Sequence, residues 1–521
     1  MTGPRSYAPD DASVVVVIGS GAGGGTLSRA LAERGIDVVC LEAGGRLNMS
    51  DIVNDEAQMF GKFTWLDERI GVGDALAGFP TWNCKTVGGT TLHWTAACPR
   101  LQEHELRARS TYGELPGTSL ADWPFGMDEL GPWYERAEDL MGVTGTHGIE
   151  RLPASNNSLV LTAGGRRVGY RDMHTNNLAI NSAPRDGRAS CLQLGFCTSG
   201  CATGAKWSTL YTEVPKAEQT GHFELRTQSM AVKLLTGKGG CVSGVRYLDA
   251  QGQVREQRAR AVCVAGNVVE TTRLLLHSAN DRSPQGLANS SGELGRNYMR
   301  HLLAGVVAVM PGEVNMHKGA QCAGVIKDET RHDPARGFAG GFQLHTVMFT
   351  PETLANLLMP GAWGRKLSGV IERYRNLAAL LVVGEDPAMP DNRVTLHPAR
   401  KDHYGLPVPL ITYRHHDNSR ALVRYAVDAA KKVYAALGAE EIYEMVDVFP
   451  STHNMGTARM GDDPAHYVCN RWGRTHDLDN LYISDGSVFP SAGCANPTLT
   501  IVALALRQAA HIAEQLGGKS A

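Results

Sequence analysis

The chain has 521 residues, enough for two domains, and 43% of them are hydrophobic and 20% charged, the balance of a globular enzyme. A formal net charge of −2, with no long basic run, argues against a nucleic-acid-binding surface, and no uninterrupted apolar stretch reaches membrane-spanning length. The first residues, Met1 to Tyr7, lead into a strand without the apolar region of an export signal. A cytoplasmic location is therefore expected, with export alongside a partner subunit left open. The eleven cysteines are odd in number and lack regular spacing, which fits reduced thiols.

The five apolar residues Val14–Ile18 predict a strand buried on both faces. Gly19-Ser-Gly21-Ala-Gly23-Gly24-Gly25 follows at once, then a predicted helix over Thr26–Glu33 closed by Gly35, then a second strand over Val38–Leu41 ending on Glu42. Gly19, Gly21 and Gly24 have the spacing of a dinucleotide-binding turn: a tight turn, a close approach of pyrophosphate, and close helix–strand packing. The helix N-terminus then offers free N–H groups to phosphate. Glu42 is placed to accept from a ribose 2′-hydroxyl and would repel a 2′-phosphate, which argues against NADP. Together these predict a cofactor with an ADP half; the plainer reading is a glycine-rich turn in an ordinary βαβ unit.

No second crossover follows promptly. A mixed segment covers about 51–80, and glycine turns recur at Val87-Gly-Gly-Thr-Thr91. Ala261–Gly266 reads as a strand and Val268–Ser278 as a helix; the last helix runs from Pro497 to about Leu516, with Leu499, Val502, Ala503, Leu506, Ala510 and Ile512 near helical spacing. Gly305–Met310, Gly341–Phe349, Leu380–Val383 and Arg393–Leu396 alternate as antiparallel strands do. They are expected to form a second domain inserted in the first. No internal repeat or low-complexity tract is visible. Cys191-x5-Cys197-x3-Cys201 brings three thiols into one loop, and three thiolates so placed can hold iron.

Three separated blocks resemble the glucose–methanol–choline (GMC) flavin oxidoreductases: the opening βαβ unit ending in Leu41-Glu-Ala-Gly44; Thr86-Val-Gly-Gly-Thr-Thr-Leu-His-Trp94; and His453-Asn-Met-Gly-Thr-Ala-Arg-Met-Gly461 with Asn480–Gly486 and Ala495–Thr500. Ala265–Leu276 resembles a weaker signature of the family. Within it, the chain is most similar to bacterial gluconate, fructose and glucose dehydrogenase flavoproteins and to pyranose oxidases. The resemblance implies an α/β fold: a Rossmann-like FAD-binding domain with an inserted α+β substrate domain built on an antiparallel sheet. The expected division is 12–130, 210–305 and 451–516 for FAD, with 131–209 (including the cysteine loop) and 306–450 for substrate.

It further implies FAD bound by Gly19, Gly21, Gly24, Glu42, Gly88, Gly89, His93, Val232, Asp485, Gly486, Pro497 and Thr498, with Asp485 and Gly486 near the ribityl chain and pyrophosphate. His453 is the expected base: a neutral imidazole takes the hydroxyl proton while hydride passes from carbon to flavin N5. Asn496 occupies the second active-site position and holds the substrate oxygen. Its plainer role is a helix N-cap, with Pro497 at the first helical position; both roles are compatible. His93 keeps the offset at which some relatives attach flavin covalently; a noncovalent ring packed on flavin is the alternative. The cysteine spacing is that of a 3Fe–4S centre in sugar dehydrogenases that feed a haem subunit. Two readings stand for Cys191, Cys197 and Cys201: such a centre, or a redox-silent loop with or without one disulfide.

The expected function is FAD-dependent oxidation of a primary or secondary alcohol, foremost a sugar, sugar derivative or polyol. Electrons would pass to an external acceptor (a quinone or a haem subunit), and a small accessory subunit fits that pattern. The alternatives are an oxidase that uses O2 and releases H2O2, and a flavin-binding electron-transfer subunit without alcohol chemistry of its own. Retention of both His453 and Asn496 speaks against the latter. A NAD-dependent dehydrogenase is disfavoured, because the late blocks around Asp485 and Asn496 serve a flavin.

Overall fold

The computed structural model describes residues 5–237, 239–358 and 361–519. A five-stranded parallel sheet forms from Leu481–Ile483, Ala261–Val264, Val15–Ile18, Val38–Leu41 and Phe223–Arg226, in that order across the sheet. Val15 lies opposite Val38 on one side and Ala261 on the other. All four residues of the central strand are buried, as expected for a strand covered on both faces. The first helix spans Ala22–Ala32 and packs against the last, Thr498–Leu516, which in turn packs on Met127–Met141.

The first helix begins four residues earlier than the sequence predicts, inside the glycine run. Tertiary packing decides this against glycine's poor helix propensity. A β-carbon on Gly23 would stand 1.7 Å from the Ser484 carbonyl oxygen, and one on Gly24 would stand 2.0 Å from that of Gly19. The helix can press on its neighbours only because these positions carry no side chain.

The second core is a six-stranded antiparallel sheet in the order Glu441–Val446, Leu302–Val309, Leu377–Gly384, Phe342–Thr346, Gly324–Ile326, Met173–Thr175. One face packs under the helices Asn156–Arg167 and Asp417–Ala435, through residues such as Leu344, Leu380, Val382, Leu422 and Tyr434. The opposite face, carrying Leu303, His345, Leu381 and Val383, looks into the main cavity.

Two expectations are corrected. Arg393–Leu396 does not join this sheet. It belongs to the hairpin Arg393–Lys401/Pro407–Tyr413, whose second strand pairs in parallel with Ile70–Gly73, and the hairpin packs on the helix Val268–His277. A boundary at residue 130 also falls inside the helix Met127–Met141, whose Leu130, Tyr134, Ala137 and Met141 share the core of the parallel sheet. The cysteine loop packs on that same core through Cys197. No described helix is long and apolar enough to cross a membrane.

Gly23→Ala should lower the thermal melting point of the protein or abolish soluble folding. Its β-carbon meets backbone rather than a side chain that can turn away, and overpacking of this kind costs about 1–3 kcal/mol or more. An unchanged melting curve would refute the requirement.

Candidate functional site

A cavity of about 710 Å³ runs between the two cores, from Gly19, Gly21 and Glu42 at one end to His93, His453 and Asn496 and on to the antiparallel sheet. The glycine end is built for a phosphate-bearing ligand. Gly21 caps the first helix without any side-chain hydrogen bond, so the first-turn N–H groups face outward. A β-carbon on Gly21 would meet nothing nearer than the Gly89 α-carbon at 3.9 Å, so Gly21 borders open cavity.

Glu42 is buried at this end. Its Oε2 accepts from the Ser20 N–H (3.0 Å) and hydroxyl (2.7 Å), and its Oε1 accepts from the Gly44 N–H (2.9 Å). Burial raises its pKa, and these donors oppose the rise. A carboxylate accepts about four hydrogen bonds, so three internal donors leave one acceptor site for a ribose hydroxyl. The Ser20 hydroxyl in turn accepts from the Gly88 N–H at 3.1 Å. Gly88, with φ of +95°, supports the site from behind, whereas Gly89, Val232, Asp485, Gly486, Pro497 and Thr498 line the cavity. Asp485 is held by Thr271 (2.5 Å) and by the Ser487 N–H (2.9 Å).

Asn496 is not the N-cap of the last helix. Pro497 takes that position, no side-chain cap bond forms, and the helix starts at Thr498. The Asn496 Oδ1 is buried without a partner and its residue lines the cavity, so the side chain is spared from structural duty. The approach to it is held by a buried acid pair that the sequence reading missed. Glu105 Oε1 accepts from the Cys494 N–H at 2.7 Å, and Glu385 Oε2 accepts from the Tyr112 hydroxyl at 2.9 Å. Burial and the Glu105 charge push Glu385 up to about 8, so it stays protonated at neutral pH.

His453 gains a second imidazole, also missed. Met299–Arg300 pairs antiparallel with Asn454–Met455, Arg300 opposite Asn454. The next pair in register is therefore His301 and His453, whose Nδ1 atoms lie 2.9 Å apart with the rings edge to face. Carbonyls of Ala492 and Gly493 flank the His301 ring. His301 Nε2 is buried with no partner in hydrogen-bond geometry, and where His453 Nδ1 donates to His301 Nδ1 a lone pair is left on His453 Nε2. Burial first, then His301, His345 and His93, hold the His453 pKa well below its ordinary value. No motif signalled His301 or His345; each sits at or within a strand where burial is the default reading.

His93 is buried, stacks flat on Trp82 at 4.4 Å and leaves Nε2 without a partner. Burial and the Lys206 charge depress its pKa to about 4. The buried Lys206 Nζ donates to the carbonyls of Leu92 (2.6 Å), Trp94 (2.9 Å) and Cys197 (2.5 Å), tying the cysteine loop to the His93 segment. Cys191, Cys197 and Cys201 do not line the cavity and stand as free thiols in the structure. Burial works to raise the Cys201 thiol, yet the Lys206 and Thr203 donors leave it below its ordinary pKa. Among the described residues one trio, Glu135, Glu138 and His147, brings ligand atoms within 4.8 Å of one another, and Arg100 already bonds both carboxylates.

The glycine cradle, the spare acceptor on Glu42, the free helix ends and the unpartnered His93 and Asn496 atoms together fit a bound FAD. Sequence comparison agrees. GMC oxidoreductase family domains match residues 72–303 and 388–505. The chain is 32% identical to 2-methyl-1,2-propanediol dehydrogenase of Mycolicibacterium austroafricanum, over 97% of this chain and 96% of that one. It is 30% identical to the fructose dehydrogenase large subunit of Gluconobacter japonicus, over 96% and 98%. The crystal structure of pyridoxine 4-oxidase from Mesorbium loti superposes with a TM-score of 0.69 at 19% identity, covering 96% of this chain and 99% of that one. The chain belongs to the GMC oxidoreductase family, whose members bind FAD. It is an oxidoreductase of the dehydrogenase and oxidase class that acts on alcohol groups.

Four neutral imidazoles in and beside the cavity make stability pH-dependent. His93, His301, His345 and His453 all have lowered pKa values when folded. Their contribution is intact above the unfolded value of about 6.5 and is lost as pH falls through it, because only the unfolded chain then binds the protons. Unfolding of the apoprotein near pH 5 should bind about one proton at each of these imidazoles, offset by protons released from buried carboxyls such as Glu385, and His301→Gln should reduce the net uptake by about one. Proton uptake on denaturant unfolding measures this; uptake unchanged in the variant would refute it.

Proposed function

We propose that this chain oxidises a primary or secondary alcohol of a sugar, sugar derivative or polyol and passes the electrons to an external acceptor. The observation that carries the reading is that His453 and Asn496, whose amide oxygen is buried without a partner, line one cavity whose far end fits FAD. Bound FAD supplies the two-electron acceptor. The protein does the rest: the Asn496 amide N–H donates to the hydroxyl oxygen and orients it, His453 Nε2 takes its proton, and apolar walls including Phe60, Phe79 and Phe449 exclude water. The names of the propanediol and fructose dehydrogenases support small polyhydroxylated substrates. The oxidase named above keeps O2 in view as the acceptor, and stoichiometric peroxide during turnover would favour it.

Two finer features are proposed with it. His93 is the candidate for a covalent bond to FAD, since its buried Nε2 is neutral and unpartnered. Colour left in the supernatant after acid precipitation would refute the bond, and a pellet still yellow in His93→Ala would refute the residue. The cysteine loop is proposed as an electron outlet through a 3Fe–4S centre, supported by thiols beside the buried Lys206. Iron far below stoichiometric in anaerobically purified protein would leave it a structural loop.

His453→Ala should slow flavin reduction by about 10²–10⁴ while leaving FAD bound. Asn496→Ala should lose less and chiefly raise KM. The wild-type rate should stay level from pH 8 down through 6.5 and fall only below, because a depressed pKa keeps His453 neutral over that range. Anaerobic stopped-flow measures all three, and a near wild-type rate in His453→Ala would overturn the assignment.

A further inference from the structure

The antiparallel sheet that roofs the cavity carries one polar side chain to which no step above assigns a task. His345 lies in the strand Phe342–Thr346, opposite Leu381. Alternation sends Leu344 and Val382 into the helix-covered core, while His345, Leu381 and Val383 face the cavity. The His345 residue is 1% exposed, and its Nε2 has no hydrogen-bond partner among the described residues.

The other ring nitrogen is fully committed. Asn176 Oδ1 accepts from the Asn177 N–H at 3.0 Å, which fixes the orientation of that amide. Asn176 Nδ2 therefore faces His345 Nδ1, at 3.0 Å, and donates to it. The Cys322 sulfur stands 3.3 Å from the same nitrogen and itself accepts from Asn176 Nδ2 at 3.5 Å. Nδ1 is an acceptor, so the proton of the neutral ring sits on Nε2. His345 thus carries an N–H donor with no partner, on the cavity side of the sheet. It cannot be a base: one nitrogen is occupied and the other already protonated. A buried donor left unpaired is costly, and a ligand acceptor relieves that cost.

The reacting hydroxyl already has His453 and Asn496. The sheet residues beside His345, Leu303, Leu381 and Val383, offer no acceptor of their own. We propose that His345 Nε2 binds a second oxygen of the substrate, so that the cavity selects alcohols carrying another hydroxyl or ether oxygen close to the reacting one. This rests on the alcohol-oxidising reading and narrows it. His345 is a specificity-determining residue that leaves the proton transfer to His453.

The test compares butane-1,2-diol with butan-1-ol on the FAD-loaded enzyme. The wild type should favour the diol in kcat/KM by about tenfold or more, since a site built to bond an oxygen rejects the analogue that lacks it. His345→Phe keeps a ring and loses the donor. It should bring the ratio of kcat/KM for the diol to that for butan-1-ol close to one, and His345→Gln, which restores an N–H, should recover part of the preference. FAD content and melting temperature monitor folding, and His345→Leu replaces the Phe variant if that one does not fold. Binding is read separately with pinacol and 2,3-dimethylbutan-2-ol, tertiary alcohols that cannot be oxidised, by quenching of tryptophan fluorescence. Pinacol should bind more tightly to the wild type and equally to His345→Phe. A wild type indifferent to the second oxygen in binding, or a preference that survives in His345→Phe, overturns the proposal. Failure to oxidise either butanol would count against the alcohol reading alone, because the pinacol comparison still reports on His345.

Discussion

Everything at the cofactor end of the cavity hangs on a carboxylate buried at the end of a strand. Glu42 gathers the Ser20 amide, the Ser20 hydroxyl and the Gly44 amide, and Ser20 passes the connection on to Gly88. Two glycine turns from distant parts of the chain are thereby drawn together, so close that a β-carbon on Gly89 would stand 3.0 Å from the Gly21 α-carbon. Burying a carboxylate is expensive unless its lone pairs are met, and three internal donors meet most of them. The arrangement leaves one acceptor position and a row of bare N–H groups facing the cavity. The same bonds that stabilise the fold thus shape a recess that only a hydroxyl- and phosphate-bearing ligand completes.

The far end of the cavity follows a different logic. The antiparallel sheet divides its side chains by parity, apolar residues toward the helices and a mixed set toward the cavity. His453 is not set by a helix or a long strand. A two-residue ladder fixes it opposite His301, with Tyr298 bonded to Asn454 at 2.5 Å behind it. The loop bearing Asn496 is anchored by Glu105 and by Gln343, whose Nε2 donates to the Cys494 carbonyl at 3.2 Å. The proposed base and oxygen holder therefore sit on short irregular segments, each braced by buried polar groups from more regular elements.

Much of this was legible in the sequence. The strand–glycine–helix–strand unit obeys local rules, and its strands fall within a residue of expectation. The helix start was misjudged because contacts with Ser484, hundreds of residues away, override glycine's propensity. Asn496 followed by Pro497 has the appearance of a cap, and only the backbone geometry at Pro497 shows that the cap lies one residue on. The hairpin Arg393–Tyr413 leaves its expected sheet because it pairs in parallel with Ile70–Gly73, a register that no local pattern encodes. His301 and His345 stayed hidden for a related reason. A histidine in a buried strand is usually structural, and its partner, His453 or Asn176, appears only when the chain is folded.

The depressed pKa of His453 bears on how it would work as the proposed base. A group that resists protonation takes a proton only if the charge is soon shared or discharged. Burial supplies most of the resistance, and a charge on any of the three nearby imidazoles would add to it. The 2.9 Å contact with His301 would supply the relief: with Nδ1–H donated to its neighbour, a proton arriving at His453 Nε2 strengthens that bond. Strong desolvation and one well-placed acceptor make His453 neutral before the reaction and able to carry charge during it. Neither condition alone would do so. An isolated buried imidazole would not hold the proton, and a solvated pair would be part-charged near pH 6.5 and lost as a base.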